Sequence, residues 1–105
     1  MNRIIFAMSL AKKAGKLVCG FDRVKTAVIR GEGYLVVLSS DLSEKTVKRV
    51  NYFCEDIADV YKTSLTQYDI SQVAGRLTGV VTITDENLAK LCANAIKEQK
   101  ESCKW

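Results

Sequence analysis

The chain has 105 residues, of which 48% are hydrophobic and 27% are charged. A chain of this size accommodates one compact core, so residues 1–105 are expected to form a single domain. No apolar run reaches the 18 residues of a membrane span, and charges at Arg3, Lys12 and Lys13 interrupt any signal-peptide core, which indicates a cytoplasmic protein without a membrane partner. Residues 1–50 carry 10 Lys/Arg against 4 Asp/Glu, a net +6, whereas residues 51–105 carry 6 against 8, a net −2. The basic N-terminal half is the half expected to face a polyanion.

The first half of the chain alternates between helical and extended patterns. Apolar residues at spacings of three and four predict helices over Asn2–Ala14 and Phe21–Ile29, separated by a short apolar stretch, Leu17–Cys19. The continuous β-branched and aromatic run Tyr34–Leu38 is typical of a strand buried on both faces, as parallel strands between helix layers are.

The second half continues the alternation. Its predicted elements are a helix over Glu44–Ile57 capped by Asp41 or Ser43, a weak strand over Val60–Thr63, a short helix over Ile70–Ala74 capped by Asp69, a strand over Val80–Thr84, and a last helix from Glu86 capped by Thr84 or Asp85. This order predicts about four strands between helix layers, an α/β/α sandwich. The polar tail Lys97–Trp105 is expected to fray, unless Trp105 folds back on the body.

The residue types argue against an enzyme. The chain has no histidine, the side chain that most often performs general acid–base catalysis at neutral pH. Asp41, Glu44, Asp85 and Glu86 lie at expected helix starts, where carboxylates usually cap helices, and no GxSxG or phosphate-binding GxxxxGK[ST] motif occurs. The four cysteines form no CxxC pair, so buried thiols are expected, and neither a metal nor a cofactor.

A basic cluster surrounds the predicted entrance to the second helix. Its members are Lys12, Lys13, Lys16, Arg23, Lys25 and Arg30. Backbone N–H groups at a helix start favour an anion, and neighbouring Lys and Arg side chains neutralise further phosphates. The cluster therefore indicates a phosphate-binding surface, with an ordinary solvated charged face as the alternative.

The order and spacing of several segments resemble a known superfamily over nearly the whole chain. These segments are Leu10–Lys16, Gly20, Val24–Arg30, Tyr34–Ser43 with Thr46, Thr82–Asp85, and Leu88–Ala89. Together they resemble ribosomal proteins of the L-seven-Ae and L-thirty-e type, and most of all the bacterial YlxQ-type branch. The resemblance implies a three-layer α/β/α sandwich with a mixed four-stranded sheet and binding to kink-turn RNA, a helix–bulge–helix element whose sheared G·A pairs bend the duplex sharply.

The resemblance also implies where RNA is contacted. Family members read guanine edges at the start of the second helix with a pattern like G-x-N-E-x-x-K, and the matching positions here are Gly20, Asp22, Arg23 and Thr26. Asp22 can accept from guanine donors and Arg23 can donate, whereas Thr26 replaces the usual Lys. Lys25 lies one residue away, rotated by about 100° on a helix.

A second implied contact involves a pattern like L-G-x-A-x-G that packs against extruded bases. Its counterpart here is Ile70, Ser71, Gln72, Val73, Ala74 and Gly75, which lacks the first glycine of the pattern. With Lys12, Lys13 and Lys16 on phosphates, these residues complete the predicted interface. The resulting hypothesis is a non-enzymatic protein that binds structured RNA, including ribosomal RNA, in association with the ribosome.

Each assignment has a structural alternative. Lys16, Arg23 and Lys25 are also consistent with plain surface charge, and a first-turn carboxylate such as Asp22 stabilises the helix dipole without RNA. Ile70 and Val73 suit the core. The aromatic side chains of the middle segment are expected to pack inside rather than to stack on bases; they are Tyr34, Tyr52 and Phe53.

The function also has alternatives. A protein–protein interaction module on the same fold would retain the sandwich without RNA binding, and a small-molecule enzyme is the third option.

Overall fold

A computed structural model describes residues 3–99 and 103–104. The helices are α1 (Arg3–Lys13), α2 (Phe21–Ile29), α3 (Glu44–Cys54), α4 (Gln67–Ala74) and α5 (Glu86–Gln99). The strands are β1 (Leu17–Cys19), β2 (Leu35–Leu38), β3 (Asp59–Lys62), β4 (Val80–Ile83) and β5 (Cys103–Lys104).

The strands form one mixed sheet in the order β1-β4-β2-β3-β5. β2 and β3 run parallel, with Val36 opposite Val60. β4 is antiparallel to both of its neighbours, and its Thr82 lies opposite Val18 on one side and Val36 on the other. The predicted mixed four-stranded sheet is therefore confirmed, and the two-residue β5 extends it along the outer edge of β3.

The sheet separates two apolar clusters, one against each helix layer. Leu35 and Val37 of β2 face the cluster that α1, α4 and α5 cover. Val36 and Leu38 face the opposite cluster, which α2 and α3 cover. All four residues of β2 are buried because alternate side chains of a central strand enter different cores. This arrangement is the predicted three-layer α/β/α sandwich.

Side-chain caps set the starts of the helices. Ser43 accepts a hydrogen bond from the Thr46 N–H at 3.2 Å and caps α3. Asp41, the other predicted cap of α3, instead accepts from the Gln67 N–H at 3.1 Å at the start of α4. The Ser39 hydroxyl and this backbone N–H hold the pKa of Asp41 below its usual range. Asp41 thus ties the segment after β2 to α4.

Helix α4 begins at Gln67, three residues before the predicted start at Ile70, so the predicted start is wrong. Thr66 is the cap, and Asp69 is the third helical residue, whose carboxylate accepts from the Thr66 N–H at 3.0 Å. This reciprocal capping box lies in a polar stretch that carries no apolar periodicity. At the last helix, Asp85 is the cap and accepts from the Leu88 N–H at 2.9 Å.

Helix α3 ends at Cys54, three residues before the predicted end. Glu55 leaves the helical conformation and Asp56 has a φ of 60°, so Ile57 lies outside the helix with 51% of its surface exposed. Two of the three aromatic residues expected inside are also exposed, Tyr34 by 47% and Tyr52 by 82%. Tyr34 precedes β2, and Tyr52 lies on the outer side of α3, so the core takes only Phe53.

The polar tail is more ordered than expected within the described residues. Helix α5 continues to Gln99 because Ile96 still packs in the core, and β5 pairs with the open edge of β3. Trp105 lies outside the described residues.

Candidate nucleic-acid interface

The start of α2 is held by its backbone rather than by a side-chain cap. Gly20 adopts φ 96° and ψ 144°, a region that favours glycine. Its N–H donates to the Val80 carbonyl at 3.0 Å, and its own carbonyl accepts from the Val24 N–H at 2.9 Å. Because no side chain caps this helix, the N–H groups of its first turn have no side-chain acceptor, and they form the positive end of the helix dipole.

Three cations from different segments converge beside this helix start. Burial raises the pKa of the Cys19 thiol, whereas the positive charges of Lys12, Arg76 and Arg23 lower it. Charges on α1, α2 and the loop after α4 therefore lie close to the same residue, which immediately precedes Gly20. Neither Arg23 nor Arg76 forms an ion pair within the part of the chain that the structure describes, so both are available to an anion.

Lys12 has a structural role as well as an exposed charge. Its Nζ donates to the Ala74 carbonyl at 3.0 Å, at the C-terminal end of α4. A cation at this position neutralises the negative end of the helix dipole. Lys12 thereby joins the end of α1 to the loop that follows α4.

Arg76 and Leu77 were not predicted from the sequence. Gly75 ends α4 in the left-handed conformation, with φ 80°, and the two residues after it are exposed, Leu77 by 70%. The loop thus places an exposed apolar side chain next to the converging cations. The available signal was an Arg–Leu pair directly after a helix-ending glycine.

The predicted contact over residues 70–73 lies on helix α4. Ile70 is fully buried, so its side chain does not reach a ligand and the core alternative holds. Ser71 and Val73 are half-buried, and Val73 packs against the same apolar cluster. Gln72 is exposed. The core alternative thus accounts for the Ile70 side chain, and the contact of this helix with RNA stays a prediction.

Lys13 and Lys16 are both exposed, and Lys16 lies away from the start of α2. Lys16 precedes β1, and its carbonyl accepts from the Thr84 N–H at 2.9 Å, whereas Gly20 follows β1. Four residue steps of extended chain separate them by about 13 Å. The strand therefore separates Lys16 from the start of α2.

The exposed residues of α2 divide between its two sides. Arg23 faces the Cys19 side, whereas Lys25 lines a groove toward α3. Asp22 is exposed in the first turn, and the Thr26 hydroxyl donates to the Asp22 carbonyl at 3.1 Å. The Thr26 proton is thus already used inside the helix, and Lys25 belongs to the opposite side from Arg23.

The described thiols behave as core side chains. Cys19, Cys54 and Cys92 are free and buried, as predicted. Burial raises the pKa of Cys54 and of Cys92 to about 12. Among the residues that the structure describes, no group of three His, Cys, Asp or Glu side chains is placed to hold a metal ion. No helix within those residues is both long and apolar enough to cross a membrane.

Comparisons with known proteins agree with the fold. The chain is 32% identical over 87 residues to the RNA-binding protein YlxQ of Bacillus subtilis, a match that covers 78% of this chain and 83% of that protein. A Bacillus halodurans protein of unknown function superimposes with a TM-score of 0.83 at 25% identity, over 92% of this chain and 99% of the other.

A second solved structure shows the same fold at lower identity. The Giardia lamblia 15.5kD RNA binding protein superimposes with a TM-score of 0.74 at 16% identity, over 93% of this chain and 85% of the other. Residues 3–93 also match the sequence profile described as ribosomal protein L7Ae/L30e/S12e/Gadd45 family. The chain belongs to the ribosomal protein L7Ae/L30e/S12e/Gadd45 family.

Proposed function

We propose that this protein binds structured RNA of the kink-turn type, without catalysis, through the start of α2 and the loop after α4. The observation that carries the proposal is the uncapped start of α2, which bears the exposed Arg23, together with the hydrogen bond from Lys12 to Ala74 that holds the end of α4 and its exposed Arg76 against α1. Membership of a ribosomal protein family and the similarity to an RNA-binding protein support it. We further propose that the protein is cytoplasmic and associates with the ribosome.

The phosphate contacts follow from the exposed donors. An anion at the first turn of α2 accepts from backbone N–H groups and gains from the helix dipole. Arg23 and Arg76 then neutralise neighbouring phosphates. Each of these contacts contributes about −0.9 to the slope of log affinity against log salt. Lys13 and Lys16 are proposed to contact a more distant part of the same RNA backbone, because about 13 Å separates Lys16 from Gly20.

The base contacts fall to the residues between these cations. The exposed Asp22 carboxylate can accept from the imino and amino groups of a sheared guanine. Thr26 offers its hydroxyl oxygen as an acceptor, because its proton is held by the Asp22 carbonyl. Leu77 supplies the apolar contact with an extruded base that the second family pattern implies. Ser71, Gln72 and Val73 flank this surface on α4.

A gel-shift comparison tests the proposal. The probes are a kink-turn RNA and a matched RNA in which Watson–Crick pairs replace the sheared G·A pairs. Wild-type protein is expected to prefer the kink-turn RNA, and Asp22→Ala is expected to lower that preference by about 1–3 kcal/mol. Glu32→Ala, which removes an exposed carboxylate beyond the other end of α2, is the matched control and should leave the preference unchanged.

Two results would count against the proposal. Equal affinity for the two RNAs would remove the kink-turn specificity. Affinity that does not fall with salt would indicate an apolar protein interface in place of a phosphate-binding surface.

A further inference from the structure

A groove of about 440 Å³ lies between α2 and α3, beside the proposed interface but not part of it. Its lining consists of Phe21, Lys25, Ile29, Lys48, Arg49, Tyr52 and Phe53. The lining contains three cations and no carboxylate. Such a surface attracts a polyanion along its length.

Three flat groups in contact with one another line the groove. The Phe21 ring meets the Phe53 ring edge to face, with centroids 5.4 Å apart and planes at 78°. The Arg49 guanidinium lies over the Phe21 ring at 4.6 Å from its centroid. Arg49 is exposed, so a further flat group can approach its guanidinium from solvent. Nucleic-acid bases stack on guanidinium planes as well as on aromatic rings.

The rim of the groove exposes apolar surface that the fold does not use. Tyr52 is 82% exposed and Ile29 is 59% exposed, and both line the groove. Aromatic side chains that remain in water next to cations are the feature that single-strand binding proteins share, since bases stack on the rings while the cations follow the phosphates.

The groove is continuous with the proposed interface. Phe21, which lines the groove, is the first residue of α2 and lies between Gly20 and Asp22. A strand that leaves an RNA bound at the start of α2 therefore meets the groove next. Lys25, which the sequence assigned to RNA contact, faces this groove and not the side of Arg23.

We propose that the α2–α3 groove binds a single-stranded RNA segment that continues from the structured RNA. Bases stack on Tyr52 and on the Arg49–Phe21 pair, and phosphates lie against Lys25 and Lys48. This inference rests on the proposed function, because it extends the same ligand. It adds a second surface, with a different mode of recognition.

The test compares the same kink-turn RNA with and without a single-stranded extension of about six nucleotides. With wild-type protein the extension should raise the affinity and add about −1.4 to the salt slope, from the two phosphate contacts of Lys25 and Lys48 at about −0.7 each on single strands. Tyr52→Ala should reduce the affinity for the extended RNA by about 5- to 140-fold. Lys48→Ala should remove about 0.7 of the added slope.

Matched controls lie on the opposite helix layer. Tyr68→Ala removes a tyrosine that is 67% exposed on α4, and Lys97→Ala removes an exposed lysine on α5. Both should bind the extended RNA as wild-type does. All variants should bind the RNA without the extension equally, because Tyr52 and Lys48 lie outside the proposed interface at the start of α2.

The outcomes separate this inference from the proposed function. No gain from the extension, or a gain that Tyr52→Ala leaves intact, overturns the groove while kink-turn binding stands. If the unextended RNA fails to bind, the proposed function is wrong. The extension alone, as a free oligonucleotide, then tests the groove, and binding that Tyr52→Ala abolishes supports the groove as a single-strand site. A groove that binds a synthetic Glu- and Phe-containing peptide but no oligonucleotide overturns the inference in favour of a protein partner.

Discussion

Two arginines at the proposed interface give a quantitative test, because a third arginine, at the far end of α2, serves as control. Arg23 lies in the first turn of α2 and Arg76 in the loop after α4, and the positive charges of both lower the pKa of the Cys19 thiol. Arg30 follows the last residue of α2. Seven residues of helix place it about 10 Å from Arg23 along the axis. All three side chains are exposed, so replacement by alanine removes charge without opening a core cavity.

The expected magnitude follows from counterion release. Each phosphate contact contributes about −0.9 to the salt slope, so the double variant Arg23→Ala with Arg76→Ala should lose about 1.8 of the wild-type slope. When salt rises from about 50 to 200 mM, the factor by which wild-type affinity falls should therefore be about 12 times the factor for the double variant. Arg30→Ala should keep the wild-type slope.

Fluorescence anisotropy of a labelled kink-turn RNA, titrated at four salt concentrations in this range, measures the slopes. Circular dichroism melting of each variant verifies that it is folded. If Arg30→Ala lowered the slope as much as Arg23→Ala, the positive charge of α2 would act as a whole, and the localised interface would be refuted.

Four further predictions concern the fold. Gly20→Ala should lower the free energy of unfolding by about 1–3 kcal/mol in urea titrations, because its φ of 96° strains other residues while its Cβ would meet no neighbour; no loss would mean that the backbone there relaxes. Ile70→Ala should cost about 2–5 kcal/mol yet leave the RNA affinity of the folded protein unchanged; a specific loss of affinity would place Ile70 at the interface. Asp41→Asn should lower stability at pH 7, and the difference from wild-type should shrink as pH falls through the lowered pKa of Asp41, where its carboxylate becomes protonated; a difference that persists in acid would exclude the ionic contribution. Burial raises the pKa of Cys54 and Cys92 to about 12, so iodoacetamide at pH 8 should modify both thiols only after unfolding. Peptide mass spectrometry measures the modification, and rapid labelling of the native protein would contradict the burial of these thiols.

Elements with strong local signals were predictable from the sequence. The bounds of α2 agree with the prediction because Gly20 and Gly31, with φ of 96° and 77°, interrupt the apolar periodicity on both sides. The buried strand β2 and the helix layers follow from patterning in the same way. The start of α4 was missed because its first turn is polar and is held by the reciprocal Thr66 and Asp69 cap, a signal separate from periodicity.

The candidate site was only partly predictable, because it is assembled from segments distant in sequence. Arg23 could be chosen from its position at a helix start, but Arg76 was missed because its loop is placed by the hydrogen bond between Lys12 of α1 and Ala74 at the end of α4. Lys16 is close to Gly20 in sequence and far in space, since an extended strand lies between them. The side of a helix that a residue occupies also depends on the packing of α3, which places Lys25 in the groove.

The position of β4 in the sheet has a consequence for how the protein matures during translation. β4 lies between β1 and β2, yet it is synthesised some 40 residues after β2. Neither β1 nor β2 can therefore pair with β4 until most of the chain has been made. Pairings of such long sequence separation form slowly. The Gly20 N–H also needs the Val80 carbonyl, and so the start of α2 acquires its final shape only after that strand has emerged. We therefore expect a nascent chain arrested before residue 80 to be unable to capture RNA, which would delay binding until synthesis of the domain is nearly finished.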